Sequence, residues 1–223
     1  MRMTCSPGRV TPERSKWFSR GADVTTVEVF ADVWCPFAHV GLRRLVEYRD
    51  RTAADFVLHV RAWPLELVNG RPLDVALVAE EIEALRARVA PELFAGFDPD
   101  RFPRSTLPAL RLVHAAYQRG LAAGERVSLL VRDALFEHGR DIGRRDELQR
   151  VADLAGLPGL LAPAHEVIDE WHEGLRRGVV GSPHFFVAGA DFFCPSLAIR
   201  REGGRLDVSA DPAGMEHLLA LVA

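Results

Sequence analysis

A single cysteine, Cys35, lies where an apolar, strand-like stretch gives way to a helical pattern. The stretch before it is rich in β-branched residues, and after Pro36 apolar residues recur at Leu42 and Leu45 with helical spacing. The first turn of a helix has unpaired backbone N–H groups, and these groups and the helix dipole stabilise negative charge. This position therefore predicts a thiol with a lowered pKa, which is the chemistry of a redox nucleophile.

The elements around Cys35 indicate an α/β protein. Strands are predicted near 25–33 and 56–62, on either side of a helix near 36–50, and such a β-α-β unit implies a parallel pair of strands. Helical spacing continues near 73–90, 107–121, 125–138, 145–155 and 163–176, followed by a short hairpin (185–187 and 191–193), a weak strand near 205–208 and a helix over 212–221. We predict a disordered tail over 1–24, an α/β domain in two parts (25–71 and 178–223), and a helical insertion over 72–177.

Composition excludes several classes of partner. The 223 residues carry a formal net charge of -3 and no long block of like charges, which argues against nucleic acid and anionic membranes. No apolar stretch is long enough to span a bilayer, and the first two dozen residues lack the apolar run of a secretory signal, so we expect a cytoplasmic protein. Three cysteines are too few for a disulfide framework. His165 and His172 share one helix face, but no third and fourth ligand follows at metal-site spacing, so we expect no metal. We expect a small-molecule thiol or a protein disulfide as partner, with no bound cofactor.

A second candidate segment is Gly181-Ser182-Pro183, directly before the predicted hairpin. A proline that enters a strand is either an ordinary edge residue or part of a cis peptide bond that turns the chain. A cis bond would leave the backbone of Ser182 available to pair with an extended thiol ligand. The spacing alone leaves both interpretations open.

Several segments resemble those of the DsbA-like thioredoxin-fold proteins, particularly the FrnE-type branch. They are Asp32-Val33-Trp34-Cys35-Pro36-Phe37, Gly41-Leu42-Arg43-Arg44-Leu45, Arg61-Ala62-Trp63-Pro64-Leu65 and Gly178-Val179-Val180-Gly181-Ser182-Pro183-His184-Phe185-Phe186-Val187. The resemblance implies a thioredoxin-like fold with an inserted all-helical subdomain. It also implies that Cys35 is the nucleophilic cysteine of a thiol–disulfide oxidoreductase and that Pro183 is a cis-proline facing it.

The chain departs from the family pattern after Cys35. Ala38 stands where the resolving cysteine is usual, and His39 where an aromatic residue is usual. A lone thiolate still forms a mixed disulfide, but a second thiol must then release it, for example glutathione or another small thiol. The related kappa-class glutathione transferases and 2-hydroxychromene-2-carboxylate isomerases share the Gly-Ser-Pro loop and bind glutathione, but they usually carry serine at the position of Cys35.

Cys194 is the other candidate for the second thiol. If the hairpin turns at Gly189, Pro195 lies opposite Pro183 and Cys194 lies beside it. In this fold the cis-proline loop lies against the nucleophile, so the resemblance would place Cys194 near Cys35. The alternative is a buried cysteine that serves only as an apolar residue.

The sequence thus predicts a monothiol oxidoreductase of the DsbA-like family. The predicted catalytic residues are Cys35 and Cys194, and the predicted substrate-binding residues are Trp34, Pro36, Phe37, His39, Ser182, Pro183 and His184. His39 either supports the thiolate, lines the pocket or is exposed on its helix, whereas His184 and Trp34 either face the site or point elsewhere. The alternative functions are a glutathione-dependent isomerase or transferase, and a non-catalytic binding protein.

Overall fold

The computed structural model describes residues 24–160, 166–203 and 205–223. The elements in chain order are β1 (Thr25–Ala31), α1 (Pro36–Thr52), β2 (Phe56–Ala62), α2 (Leu65–Val68), α3 (Val75–Arg88), a 3-10 turn (Pro99–Arg101), α4 (Leu107–Tyr117), α5 (Leu121–Phe136), α6 (Arg145–Leu154), α7 (Glu166–Arg176), β3 (His184–Val187), β4 (Ala190–Phe193), β5 (Leu197–Glu202), β6 (Arg205–Ala210) and α8 (Pro212–Leu219). Among these described residues, no helix is long and apolar enough to cross a membrane.

The central sheet has the strand order β2-β1-β3-β4. β1 and β2 are parallel and joined through α1, whereas β3 pairs antiparallel with both β1 and β4. The predicted mixed α/β fold with its β-α-β unit is therefore confirmed. The helices α2 to α7 separate β2 from β3 along the chain, and the division into domains at residues 71 and 177 stays a prediction.

The sequence patterns missed one strand. β5 pairs with β6 in a separate two-stranded sheet, and the polar run Arg200-Arg201-Glu202 hid it from a search for apolar alternation. The small sheet is held by its apolar residues Leu197, Leu206 and Val208, which belong to the hydrophobic core that also contains α3. The predicted tail up to residue 23 and the start of the predicted helix at 163–165 lie outside the described residues.

The β3–β4 hairpin has a register one residue away from the predicted one. Ala188 and Gly189 form a two-residue turn with φ of 50° and 82°, and Val187 pairs with Ala190. The prediction that Pro195 lies opposite Pro183 is therefore wrong. Cys194 is the residue opposite Pro183, and its N–H donates to the Pro183 carbonyl at 3.0 Å.

The outer edge of β2 is closed by side chains of the helical insertion. Glu125 accepts from the N–H of Leu58, Tyr117 accepts from the N–H of Val60, and Glu170 accepts from the N–H of Ala62, each at 2.8 Å. The Tyr117 hydroxyl also donates to the Leu58 carbonyl at 2.9 Å. These contacts take the place of a neighbouring strand and fix the insertion against the sheet.

Candidate active site

Cys35 caps the N-terminus of α1. Its Sγ accepts from the N–H of Ala38 at 3.4 Å, so the residue that replaces a second cysteine contacts the sulfur through its backbone. Pro36 begins the helix, where its missing N–H costs no hydrogen bond. α1 lies between two hydrophobic clusters, one containing Val40 and the other containing Leu42, and this burial holds the sulfur in place.

The Ser182–Pro183 loop lies against the sulfur, and the Ser182–Pro183 peptide bond is cis. The Cys35 thiol donates to the carbonyl of Ser182 at 3.1 Å, while the Ser182 hydroxyl accepts from the N–H of Asp32 at 3.0 Å. Gly181 packs against Phe193, and a Cβ at this position would lie 2.5 Å from its ring, so a larger residue would require the ring to move. The loop, the end of β1 and the start of α1 are thereby joined around one sulfur atom.

Behind this loop lies a buried polar network centred on Asp32. Its carboxylate accepts from the N–H groups of Trp34 at 3.2 Å and Leu65 at 2.5 Å. The buried Arg132 donates to the Asp32 carbonyl at 3.3 Å and to the hydroxyl of Ser128 at 2.7 Å. Burial raises the pKa of Asp32 to about 6 and lowers that of Arg132 to about 10, so both groups are charged at neutral pH.

Burial raises the pKa of the Cys35 thiol to about 12, since the residue is only 3% exposed. The hydroxyl of Ser182 and the N–H of Ala38 act in the opposite direction, whereas the charges of Glu81 and Asp32 add to the rise. The lowered pKa predicted from the helix N-terminus is therefore wrong. Removal of the sulfur from water outweighs the stabilisation that the helix end provides.

A cavity of about 400 Å³ opens onto Cys35. It is lined by Cys35, Pro36, Phe37, Leu65, Leu73, Asp74, Leu77, Val78, Glu81, Ser182, Phe193 and Ile199. Its walls are mostly apolar, which suits a small or extended ligand better than a bulky folded surface. Of the predicted substrate-binding residues, Pro36, Phe37 and Ser182 line this cavity.

Trp34 and His39 do not line the cavity. The Trp34 ring is fully buried and stacks on Phe102 with centroids 5.6 Å apart. His39 is 1% exposed, and its Nε2 pairs with Glu137 Oε1 at 2.8 Å. Burial lowers the pKa of His39, so a neutral imidazole donates this hydrogen bond. His39 is neither exposed nor part of the cavity lining. It anchors α1 to the insertion.

His184 points to the opposite face of β3. Its Nδ1 accepts from the N–H of Val180 at 3.2 Å, which places the ring proton on Nε2, and Nε2 contacts Asp191 Oδ2 at 3.0 Å. The ring stacks on Phe186 with centroids 4.9 Å apart. His184 therefore holds the loop before Pro183 in place and does not line the cavity.

Cys194 is a buried, free cysteine opposite Pro183. It belongs to the same hydrophobic cluster as Trp34 and is not among the residues that line the cavity. Burial raises the pKa of its thiol, and the charge of Cys35 raises it further. The catalytic role predicted for Cys194 stays a prediction.

Several residues of this region were not predicted from the sequence. Asp32 stands in the quoted motif, but nothing in its type showed that it organises the loop. Leu77, Val78 and Glu81 share one face of α3, so helical spacing would have grouped them, yet only the tertiary fold brings that face to Cys35. Within the described part of the chain, no group of three or more His, Cys, Asp or Glu residues has the arrangement of a metal site.

Comparison with known families agrees with this geometry. The model of the DSBA-like thioredoxin domain matches residues 26–199, which span both the Cys35 segment and the cis-proline loop. The chain belongs to this family. The thioredoxin-like fold expected from the sequence is therefore confirmed. At the level of sequence, no curated protein matches the chain.

Solved structures share the fold at low sequence identity. A 2-hydroxychromene-2-carboxylate isomerase is 16% identical, with a TM-score of 0.57 over 75% of this chain and 88% of that chain. The cytosolic disulfide reductase DsbM from Pseudomonas aeruginosa, solved with GSH, is 17% identical, with a TM-score of 0.55 over 87% and 97%. A probable DsbA oxidoreductase from Streptomyces coelicolor is 20% identical, with a TM-score of 0.53 over 88% of each chain.

Proposed function

We propose that this DSBA-like protein is a monothiol thiol–disulfide oxidoreductase in which Cys35 exchanges with small disulfides. The observation that carries the proposal is the position of the Cys35 sulfur. It caps α1, contacts the carbonyl of Ser182 at 3.1 Å and borders a cavity of about 400 Å³. Within the family, the motif around Cys35 supports the FrnE-type branch.

The chemistry is two successive exchanges. Cys35 Sγ attacks one sulfur of a disulfide RS–SR; a new S–S bond forms as the old one breaks, and the proton lost by Cys35 goes to the leaving thiolate, which departs as RSH. A second thiol then attacks the mixed disulfide, leaves as the new disulfide and returns its proton to Cys35. The disulfide is the only oxidant required, and no bound cofactor takes part.

A small thiol is the better candidate for the second exchange. Cys194 packs in the hydrophobic core, whereas the cavity gives a small molecule access to Cys35. The candidate co-substrates are glutathione and other small thiols. DsbM, which shares the fold, was solved with GSH. DsbM is described as cytosolic, and we place this protein in the cytoplasm, where thiols are kept reduced.

The direct test is capture of the mixed disulfide. The protein is incubated with bis(2-hydroxyethyl) disulfide, and the adduct on Cys35 is identified by mass spectrometry. We expect the wild type and Cys194→Ala to form the adduct at similar rates and to lose it on addition of a small thiol, while Cys35→Ser forms none. A Cys35–Cys194 disulfide in the wild type would contradict the role of the external thiol. Absence of any adduct on Cys35 would favour a non-catalytic binding protein.

The pH dependence of alkylation tests the state of the sulfur. Because burial raises the pKa of Cys35 to about 12, the thiolate fraction and the rate with iodoacetamide should still be rising at about pH 9. The small size of the reagent allows it to enter the cavity. A plateau below about pH 8.5, the ordinary pKa of a cysteine, would show an activated thiolate instead.

A glutathione-dependent isomerase or transferase is the second candidate. The similarity in fold to a 2-hydroxychromene-2-carboxylate isomerase favours it. In such an enzyme the residue at position 35 orients the thiol of glutathione and forms no disulfide. Turnover of a disulfide by the wild type that is abolished in Cys35→Ser supports the oxidoreductase. A Cys35→Ser variant that keeps a glutathione-dependent activity supports the second candidate.

A further inference from the structure

The cavity at Cys35 carries acidic groups and lacks basic ones among the described residues. Asp74 and Glu81 are the ionisable residues of its lining besides Cys35, and both lie on the α3 side. Arg201, whose charge acts to lower the pKa of Glu81, hydrogen-bonds to Glu80 at 3.1 and 3.2 Å and is not among the residues that line the cavity. A ligand that approaches the sulfur therefore meets negative charge.

We propose that the cavity selects small disulfides by charge, favouring cationic and neutral ones over anionic ones. This inference rests on the proposed exchange chemistry of Cys35. The carboxylates of an anionic disulfide would enter a mostly apolar space whose lining contributes Asp74 and Glu81 and no basic residue. Like charges in such a space repel strongly, and a repulsive contact is an effective means of discrimination between ligands of similar size.

Both acidic residues are held in the cavity wall by the fold. Asp74 caps α3, with its side chain accepting from the N–H of Ala76 at 2.9 Å. Glu81 lies two turns further along the same helix and lines the same cavity as Cys35. The apolar residues Leu77 and Phe193 complete the wall.

The charge of Glu81 varies in the physiological range. Burial raises its pKa to about 7, while Arg201 opposes the rise and Glu80 adds to it. Asp74 and Cys35 are the other titratable groups that line the cavity. Discrimination against anionic disulfides should therefore increase as the pH rises from about 6 to about 8, as Glu81 becomes ionised.

Three disulfides of similar size provide the test: cystamine, which is cationic, bis(2-hydroxyethyl) disulfide, which is neutral, and 3,3′-dithiodipropionate, which is anionic. The rate of adduct formation on Cys35 is measured for each by mass spectrometry and divided by the rate with N-acetylcysteine amide, which corrects for intrinsic reactivity. At about pH 8 we expect the corrected rate with cystamine to exceed that with the anion by about tenfold or more. The neutral disulfide should lie between the two.

Glu81→Gln removes the charge of the side chain and keeps its shape. It should reduce, several-fold, the ratio of the corrected rate with the cationic disulfide to that with the anionic one. Glu83→Gln is the matched control, because Glu83 is exposed on the same helix and does not line the cavity, and it should leave the ratio unchanged. Equal corrected rates, a preference for the anion, or a ratio unaffected by Glu81→Gln would overturn charge selection. Failure of all three disulfides to modify Cys35 is a different result and would overturn the proposed function itself.

Discussion

The two outer edges of the central sheet differ in whether side chains hydrogen-bond to their backbone. At the β2 edge, three backbone N–H groups are bound by buried or half-buried side chains of α4, α5 and α7. At the β4 edge, no side chain among the described residues hydrogen-bonds to the outer backbone, and Phe193 is 53% exposed. The closed edge carries the polar partners that fix the insertion, and the open edge borders the cavity at Cys35.

The difference shows that the polar contacts that stabilise the fold and the surface that a ligand can reach lie at different edges of the sheet. Polar groups that are removed from water must find partners, so the closed side consists of paired groups whose loss is costly. The open side consists of apolar residues that lose little when a ligand replaces the water on their surface. The nucleophile caps α1, which contacts both α3 and α5.

The largest effect is expected from Glu125→Ala at the closed edge. The carboxylate of Glu125 pairs with Arg49 at 2.5 and 3.0 Å and accepts from the N–H of Leu58, so its removal leaves a charge and a donor without their partner. We expect a loss of about 3–5 kcal/mol in the free energy of unfolding by urea. Asp191→Ala on β4, where the carboxylate is 64% exposed, should cost less than about 1 kcal/mol. Equal losses would contradict the comparison.

Tyr117→Phe isolates the hydroxyl that bridges the β2 edge. The variant keeps the ring and loses the acceptor for the N–H of Val60 and the donor to the carbonyl of Leu58. We expect a loss of about 1–3 kcal/mol in the free energy of unfolding, measured with urea. Tyr48→Phe, on α1, is the matched control and should have little effect. A neutral Tyr117→Phe variant would show that the edge is not closed by this group.

Glu137→Gln tests, through pH, a second paired carboxylate that holds the helical insertion, here against α1. The carboxylate accepts from His39 at 2.8 Å and from the N–H of Phe94 at 2.9 Å, and despite partial burial these bonds lower its pKa to about 2. A lowered pKa in the folded state stabilises the protein above about pH 4.5, and this contribution is lost as the pH falls toward 2. After solvent screening, we expect it to amount to about 1–2 kcal/mol.

The readout is the urea unfolding free energy at about pH 7 and about pH 3. Glu137→Gln should be less stable than the wild type at the higher pH, and the gap should narrow at the lower one. Glu83→Gln, at an exposed position on α3, should show the same pH dependence of the unfolding free energy as the wild type. A gap that stays constant with pH would show that the ionised carboxylate of Glu137 is not the stabilising form.

The smallest effect is expected at the open edge. Phe193→Ala should cost about 1 kcal/mol or less, because about half of the ring is already in contact with water. Phe185→Ala in the neighbouring strand is the control; this ring is buried, and its loss should cost about 3–5 kcal/mol. If both variants lost the same stability in urea, Phe193 would be part of the core and not of an open edge.

Local patterns were sufficient for most elements of this fold, with β5 as an exception. Helical spacing located α1 and the helices of the insertion, and alternation with β-branched residues located β1 and β2. The hairpin was also predicted, but its register was not, because a turn of two residues and a turn centred on Gly189 differ by one position. A shift of one position changes which residue lies opposite Pro183, and only the paired strands decide it.

The site was predicted less completely than the fold. Cys35, Pro36, Phe37 and Ser182 were found because motif residues lie at element ends, where backbone geometry places them together. His39 and His184 were misplaced because residue type and helical position do not reveal which neighbour a side chain will meet. Glu81 was missed for the same reason, since its relation to Cys35 exists only across the space between two elements.

The sequence by itself determined the family, the order of the elements and the single cysteine at the start of α1. These follow from local propensity and short motifs, which neighbouring residues specify. The tertiary structure alone decided the register that sets Cys194 opposite Pro183, the closure of the β2 edge and the acidic wall of the cavity. It also decided that the Cys35 thiol has a raised pKa, because desolvation depends on everything that packs around an atom and not on the helix to which it belongs.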